Sequence, residues 1–119
     1  MAKILMIVLF LHWFGDFVCQ SRYIAENKGK SLSILTIHVG IYCLVMFFGL
    51  VFFVDANKLL QFVWINFMLH WITDLTSSQI TSFFWKKKDI HKFFATVGFD
   101  QFVHQVGLLL TVKYFFQGI

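Results

Sequence analysis

Apolar residues dominate four stretches of the chain, and the polar residues inside those stretches recur at helical spacing. His12 and Asp16, His70 and Asp74, and Asp100 and His104 are each four residues apart, so each pair shares one helical face. Asn66 extends the second pair into a stripe and Thr96 extends the third, while Phe, Leu, Val and Trp fill the other sides. The pattern predicts a single domain of four helices, at about residues 2–22, 31–54, 59–80 and 91–113.

The second stretch is the clearest span, with no acid or amine and only His38 as an ionisable group. The first begins like a signal peptide, but Lys3 is a thin basic region and His12, Asp16 and Gln20 interrupt the apolar run. A retained helix is the expectation. Asn27, Gly29 and Ser31 suit a turn, and the connection from Asp55 to Lys58 is short enough to force antiparallel neighbours.

Composition sharpens the class. The 119 residues are 59% hydrophobic, with 17 phenylalanines, no proline and a mean hydropathy of +0.75, more apolar surface than one small water-soluble core would bury. The expected fold class is therefore all-α, an integral membrane four-helix bundle in an inner or plasma membrane, with lipid as a partner. The net charge is +4, carried by Arg22, Lys28 and Lys30 in the first loop and by Lys86, Lys87, Lys88 and Lys92 around the third. Positive charge at loops one and three predicts that both face the cytoplasm. Because the basic residues sit at segment ends and not along one surface, nucleic acid is not an expected partner. A bundle this small could form a homo-oligomer.

An ionisable group in hydrocarbon is costly, roughly 2.5 to 3.5 kcal/mol for an Asp on insertion scales, and marks a functional site by default. Antiparallel packing would set Asp16, Asp74 and Asp100 in one layer and His12, His70 and His104 about one helical turn deeper, with His38 at the same depth. These seven side chains are the expected metal ligands. They suit one or two divalent ions, zinc first, with iron or manganese as alternatives, since a cation neutralises carboxylates that would otherwise repel. Asp16, Asp74 and Asp100 are also the candidate catalytic residues. Gln20, Asn66, Gln101 and Gln105 are candidates for hydrogen bonding to the ligands, and Lys28, Lys30, Lys86 and Lys87 for holding an anionic headgroup. Trp85 reads as an interfacial residue, Cys19 and Cys43 as buried thiols, and His91 as lying outside the site. No phosphate loop, dinucleotide fingerprint, zincin motif or nucleophile elbow occurs.

At these residues the chain resembles the small bacterial and phage membrane proteins grouped as domain of unknown function 3307. The resemblance rests on His12-Trp13-Phe14-Gly15-Asp16-Phe17 with Gln20, then Asn27-Lys28 and His38, then His70-Trp71-Ile72-Thr73-Asp74, and Phe99-Asp100-Gln101 with His104. Members often carry a lysine soon after the third-helix aspartate, where this chain has Thr76-Ser77-Ser78, so a catalytic lysine there is not expected. By analogy with other small multi-span proteins the resemblance implies metal-dependent hydrolysis.

Three functions follow from the pattern. The first is a metal-dependent hydrolase of a phosphate-ester or lipid-linked substrate. The second is transition-metal or proton transport through the same side chains, with Asn66, Cys43 and Thr111 as further polar steps. The third is a non-enzymatic membrane interaction protein of a phage or bacterium, its polar cluster serving only to hold the helices together.

Overall fold

Four of the five helices begin where a short polar side chain can cap them. Ser21 Oγ accepts from the Ile24 amide at 3.2 Å, Ser31 Oγ from Ile34 at 3.4 Å, Asp55 Oδ2 from Lys58 at 3.2 Å and Asp89 Oδ1 from Lys92 at 3.1 Å. Each cap satisfies an amide the helix leaves open, worth about 1 kcal/mol. The computed structural model describes residues 1–118. Its elements are α1 (Ala2–Trp13), a π-helical turn (Phe14–Val18), α2 (Arg22–Asn27), α3 (Leu32–Leu50), α4 (Ala56–Lys86) and α5 (Ile90–Phe116).

The turn between α4 and α5 closes with paired bonds from Lys88 N to Trp85 O and from Asp89 N to Phe84 O. Lys88 sits there at φ +58°, the left-handed position that glycine usually takes at a helix C-terminus. The return is tight, and α5 packs along α4 as the most extensive pairing in the fold. On its other side α4 meets α3, while α1 and the π turn lie against α3, and α1 also touches α5.

The expected integral membrane four-helix bundle is overturned, although the all-α class holds. The described residues form five α-helices and a π turn, and among them only α3 and α5 are long and apolar enough to cross a membrane. At 12 residues α1 spans about 18 Å, well short of a hydrocarbon core of about 30 Å. α4 has the length, about 46 Å, but its stripe of Asn66, His70, Asp74 and Ser78 and its flanking polar residues keep it out of that class. The expected first helix over about 2–22 breaks at the π turn, and α4 runs six residues beyond its expected end.

The core divides lengthwise. One end is apolar, with Ile4, Val8, Met46, Leu50, Leu59, Phe62, Val112 and Phe116 at 2% exposure or less. The other end buries His12, Asp16, His38, His70, Asp74, Asp100 and His104. Each long helix contributes to both ends through a single stripe, so the apolar packing holds the register that brings the ionisable groups together.

Candidate metal centre

Side chains on a helix lean toward its N-terminus. His70 and Asp74 therefore draw together on α4, and on α3 His38 leans toward the end of the fold where the aspartates lie. The expected layers of carboxylates and imidazoles consequently interdigitate. His38 Nε2 stands 3.0 Å from Asp16 Oδ1 and 3.1 Å from Asp74 Oδ2, and His70 Nε2 stands 3.4 Å and 3.2 Å from the same two oxygens. The two Nε2 atoms are 3.4 Å apart.

Those five distances are five of the six edges of a figure with two nitrogen and two oxygen corners, and all its donor atoms lie within 4.8 Å of one another. In a regular tetrahedron with edges of about 3.2 Å the centre lies about 2.0 Å from each corner, the bond length zinc takes with imidazole and carboxylate donors. Asp16, His38, His70 and Asp74 thus have the composition and spacing of a metal site, and all four are buried.

A second donor group shares one of these residues. Asp16, Asp100 and His104 bring ligand atoms within 4.8 Å of one another. His104 Nε2 lies 3.3 Å from Asp100 Oδ1 and 3.0 Å from Asp74 Oδ1, so Asp74 turns one oxygen to each group. Ser77 Oγ donates to Asp100 Oδ1 at 2.6 Å. Two carboxylates with a foot in each group are what a pair of bridged cations would require. The His70 ring lies between those of Tyr42 and His104, with centroids 4.1 Å away in each case.

The π turn places Asp16. In a continuous α-helix His12 and Asp16 would project together, but the extra residue per turn rotates Asp16 toward α3 and α4 while His12 stays back, its Nε2 3.9 Å from Asp16 Oδ2. Gly15 makes this approach possible, since a Cβ there would come within 3.1 Å of Tyr42 Cδ2 and 3.4 Å of Tyr42 Cα.

Six of the seven expected ligands fall into the two donor groups, and His12 does not. Both its ring nitrogens are engaged elsewhere: Nδ1 with the Tyr42 hydroxyl at 3.0 Å and Nε2 with Gln101 Oε1 at 2.8 Å. Gln101 in turn donates from Nε2 to Asp16 Oδ2 at 3.1 Å and to Asp100 Oδ2 at 3.0 Å. Asn66 is not in such a role. It donates to Phe62 O and Thr111 Oγ1, toward the apolar end. Gln105 is exposed, and Gln20 lines a cavity with its Oε1 buried and unpartnered among the described residues.

Lys28, expected at a headgroup, reaches inward and donates to Asp74 Oδ2 at 3.2 Å. Lys30 and Lys86 line the cavity beside the centre, whereas Lys87 lies over the Phe83 ring at 4.5 Å. Trp85 packs on Phe93 and lines the same cavity, Cys43 is a buried thiol, and His91 is exposed at the start of α5 as expected. Sequence reasoning missed Tyr42 and Ser77. Tyr42 had a signal, lying four residues after His38 on the same face of α3.

Residues 4–118 match the model of a protein family of unknown function, DUF3307. The chain belongs to that family. No curated protein and no solved structure matches it. Family membership therefore leaves the chemistry of this DUF3307 protein to be argued from the centre itself.

Proposed function

We propose that this DUF3307 protein is a metal-dependent hydrolase that works at a membrane on a phosphate-ester or lipid-linked substrate. The observation that carries the reading is the buried set of Asp16, His38, His70 and Asp74 donors beside a second group of Asp16, Asp100 and His104, whose two carboxylates line an open cavity. Divalent ions held there would supply Lewis acidity toward a phosphoryl oxygen and lower the pKa of water. Zinc fits the donor set best, and iron or manganese accept the same ligands.

The protein's own groups divide the remaining work. Asp16 and Asp100 face the cavity and are the carboxylates placed to accept a proton from attacking water. Gln101 holds both through its amide hydrogens, and Ser77 holds Asp100. Lys28, close to Asp74 and at the cavity wall, offers a fixed positive charge to a phosphoryl oxygen. The membrane setting draws support from the length and apolarity of α3 and α5 and from an outer surface on which Phe48, Phe52, Phe102 and Leu110 stand exposed. The basic end, with Arg22, Lys30 and Lys86 to Lys88, would then face the cytoplasm. Metal-loaded protein should turn over at least one of a phosphomonoester, pyrophosphate or phospholipid, and Asp100→Asn should abolish that turnover while an ion stays at Asp16, His38, His70 and Asp74. Stoichiometric metal with no turnover across the three classes would refute the hydrolase reading.

One observation favours transport as a second reading. A smaller cavity of about 260 Å³ touches the centre from another side, lined by Tyr42, Asn66, His70, His104 and Thr111. Cavities on two sides of a donor cluster, the smaller one mostly apolar but touched by His70, His104, Asn66 and Thr111, are the opening an ion path needs. Metal or proton flux into proteoliposomes, abolished by His70→Ala, would place this reading first.

A further inference from the structure

The larger cavity, about 570 Å³, has three unlike surfaces. Its floor carries Asp16, Asp100 and Gln101, which belong to the second donor group and its support. Its polar rim carries Lys28, Lys30 and Lys86 against one acid, Glu26, whose charge Arg22 offsets at 2.9 Å. Its remaining wall is aromatic, with Phe17, Trp85, Phe93 and Phe94, and the Trp85 and Phe93 rings are 5.2 Å apart. A ligand that satisfies all three needs an anionic head small enough to reach the floor and an apolar body for the wall.

From this arrangement we infer that the cavity binds an amphiphilic phosphate monoester, head toward Asp16 and Asp100 and apolar chain along Phe17 and Phe94. The inference rests on the metal reading above, because two carboxylates at the floor would repel a phosphate unless cations lie between them. Three lysines on the rim suit a terminal phosphate dianion. A diester bearing a cationic headgroup would set like charge against like. Phe94 is 61% exposed and Phe17 45%, so the aromatic wall continues from the cavity onto the exterior and an apolar chain could follow it outward. Gln20 Oε1, buried in the wall without a partner among the described residues, supplies an acceptor for a hydroxyl on the ligand or for an ordered water.

Equilibrium binding to the full chain, with metal content measured on the same samples, tests the inference. The probes are dihexanoyl phosphatidic acid, inorganic phosphate, adenosine monophosphate and dihexanoylglycerol. The phosphatidic acid should bind metal-loaded protein at least about tenfold more tightly than inorganic phosphate, as expected for a few buried methylenes, and stripping the metal should weaken both. Lys30→Gln with Lys86→Gln should weaken both anions together, whereas Phe94→Ala should weaken only the phosphatidic acid. Equal affinity for phosphatidic acid and inorganic phosphate would reduce the cavity to a free-phosphate site and overturn the inference. So would equal affinity for adenosine monophosphate, which would mark the wall as a base-stacking surface, or for dihexanoylglycerol, which would mark it as merely greasy. Stoichiometric metal with no anion binding would sink this inference alone, and absence of metal would sink it together with the reading on which it rests.

Discussion

The Gln101 side chain fixes the proton on His12. Its amide nitrogen faces two carboxylates, Asp16 and Asp100, which can only accept, so its carbonyl oxygen must face His12 Nε2 at 2.8 Å. His12 therefore carries its hydrogen on Nε2, and its Nδ1 accepts from the Tyr42 hydroxyl at 3.0 Å. The chain of bonds runs from α3 through α1 to α5 and ends on the two carboxylates at the cavity floor.

Breaking that chain should loosen the centre without removing a ligand. Gln101→Leu is expected to lower metal affinity by about 10- to 100-fold, the usual effect of losing a hydrogen-bond partner of a ligand. Tyr42→Phe, two bonds further away, should have a smaller effect in the same direction. Competition titration against a chromogenic chelator measures both.

Lys28 predicts effects of opposite sign. Its ammonium group, 3.2 Å from Asp74 Oδ2, offsets carboxylate charge in the metal-free centre and opposes a cation in the metal-loaded one. Lys28→Met should therefore lower the melting temperature of metal-free protein and raise its affinity for a divalent ion by about tenfold or more. Calorimetry with and without chelator separates the two.

Backbone positions give a third test. A Cβ at Gly29 would meet Ser78 Cβ at 3.0 Å and Ser78 O at 3.2 Å, one turn along α4 from Asp74, so Gly29→Ala should cost about 1–3 kcal/mol and lift Lys28 away from its partner. At Gly98, inside α5, a Cβ meets nothing within 4 Å, and Gly98→Ala should stabilise by about 0.5–1 kcal/mol. Lys88→Gly should stabilise by about 1 kcal/mol, since Lys88 holds a left-handed conformation that costs an L-residue that much. Chemical denaturation ranks the three.

Asn66 and Thr111 test the boundary of the centre. Their bond, 3.0 Å and buried, belongs to packing between α4 and α5. Thr111→Val should cost about 1–3 kcal/mol by leaving the Asn66 amide short of an acceptor, with no change in metal content. A loss of metal in this variant would extend the centre beyond the two donor groups.

The candidate ligands were legible in the sequence because a helix repeats every 3.6 residues, and His70 with Asp74 or Asp100 with His104 share a face however the helices pack. The all-α class was legible for the same reason. The π turn was not. Nothing local distinguishes Phe14–Val18 from a continuing α-helix, and the turn depends on how closely Gly15 seats against Tyr42. The same shift explains why His12, read as a ligand from its spacing to Asp16, supports the ligands instead. Overall hydropathy suggested four membrane spans because it averages the polar stripe of α4 with its apolar sides, and it could not show that α1 stops after 12 residues. The bond from Lys28 to Asp74 was not legible, because a lysine in a loop reads as surface charge and the contact depends on the close seating of Gly29 against Ser78.

The most direct test of the metal centre is elemental analysis of the purified chain and of its Asp74→Asn and His38→Ala variants, paired with X-ray absorption at the metal edge. The account predicts one or two divalent ions per chain, nitrogen and oxygen donors at about 2.0 to 2.2 Å, and loss of at least one ion in each variant. Substoichiometric metal after supplementation with zinc, iron or manganese, or metal content unchanged in both variants, would contradict it.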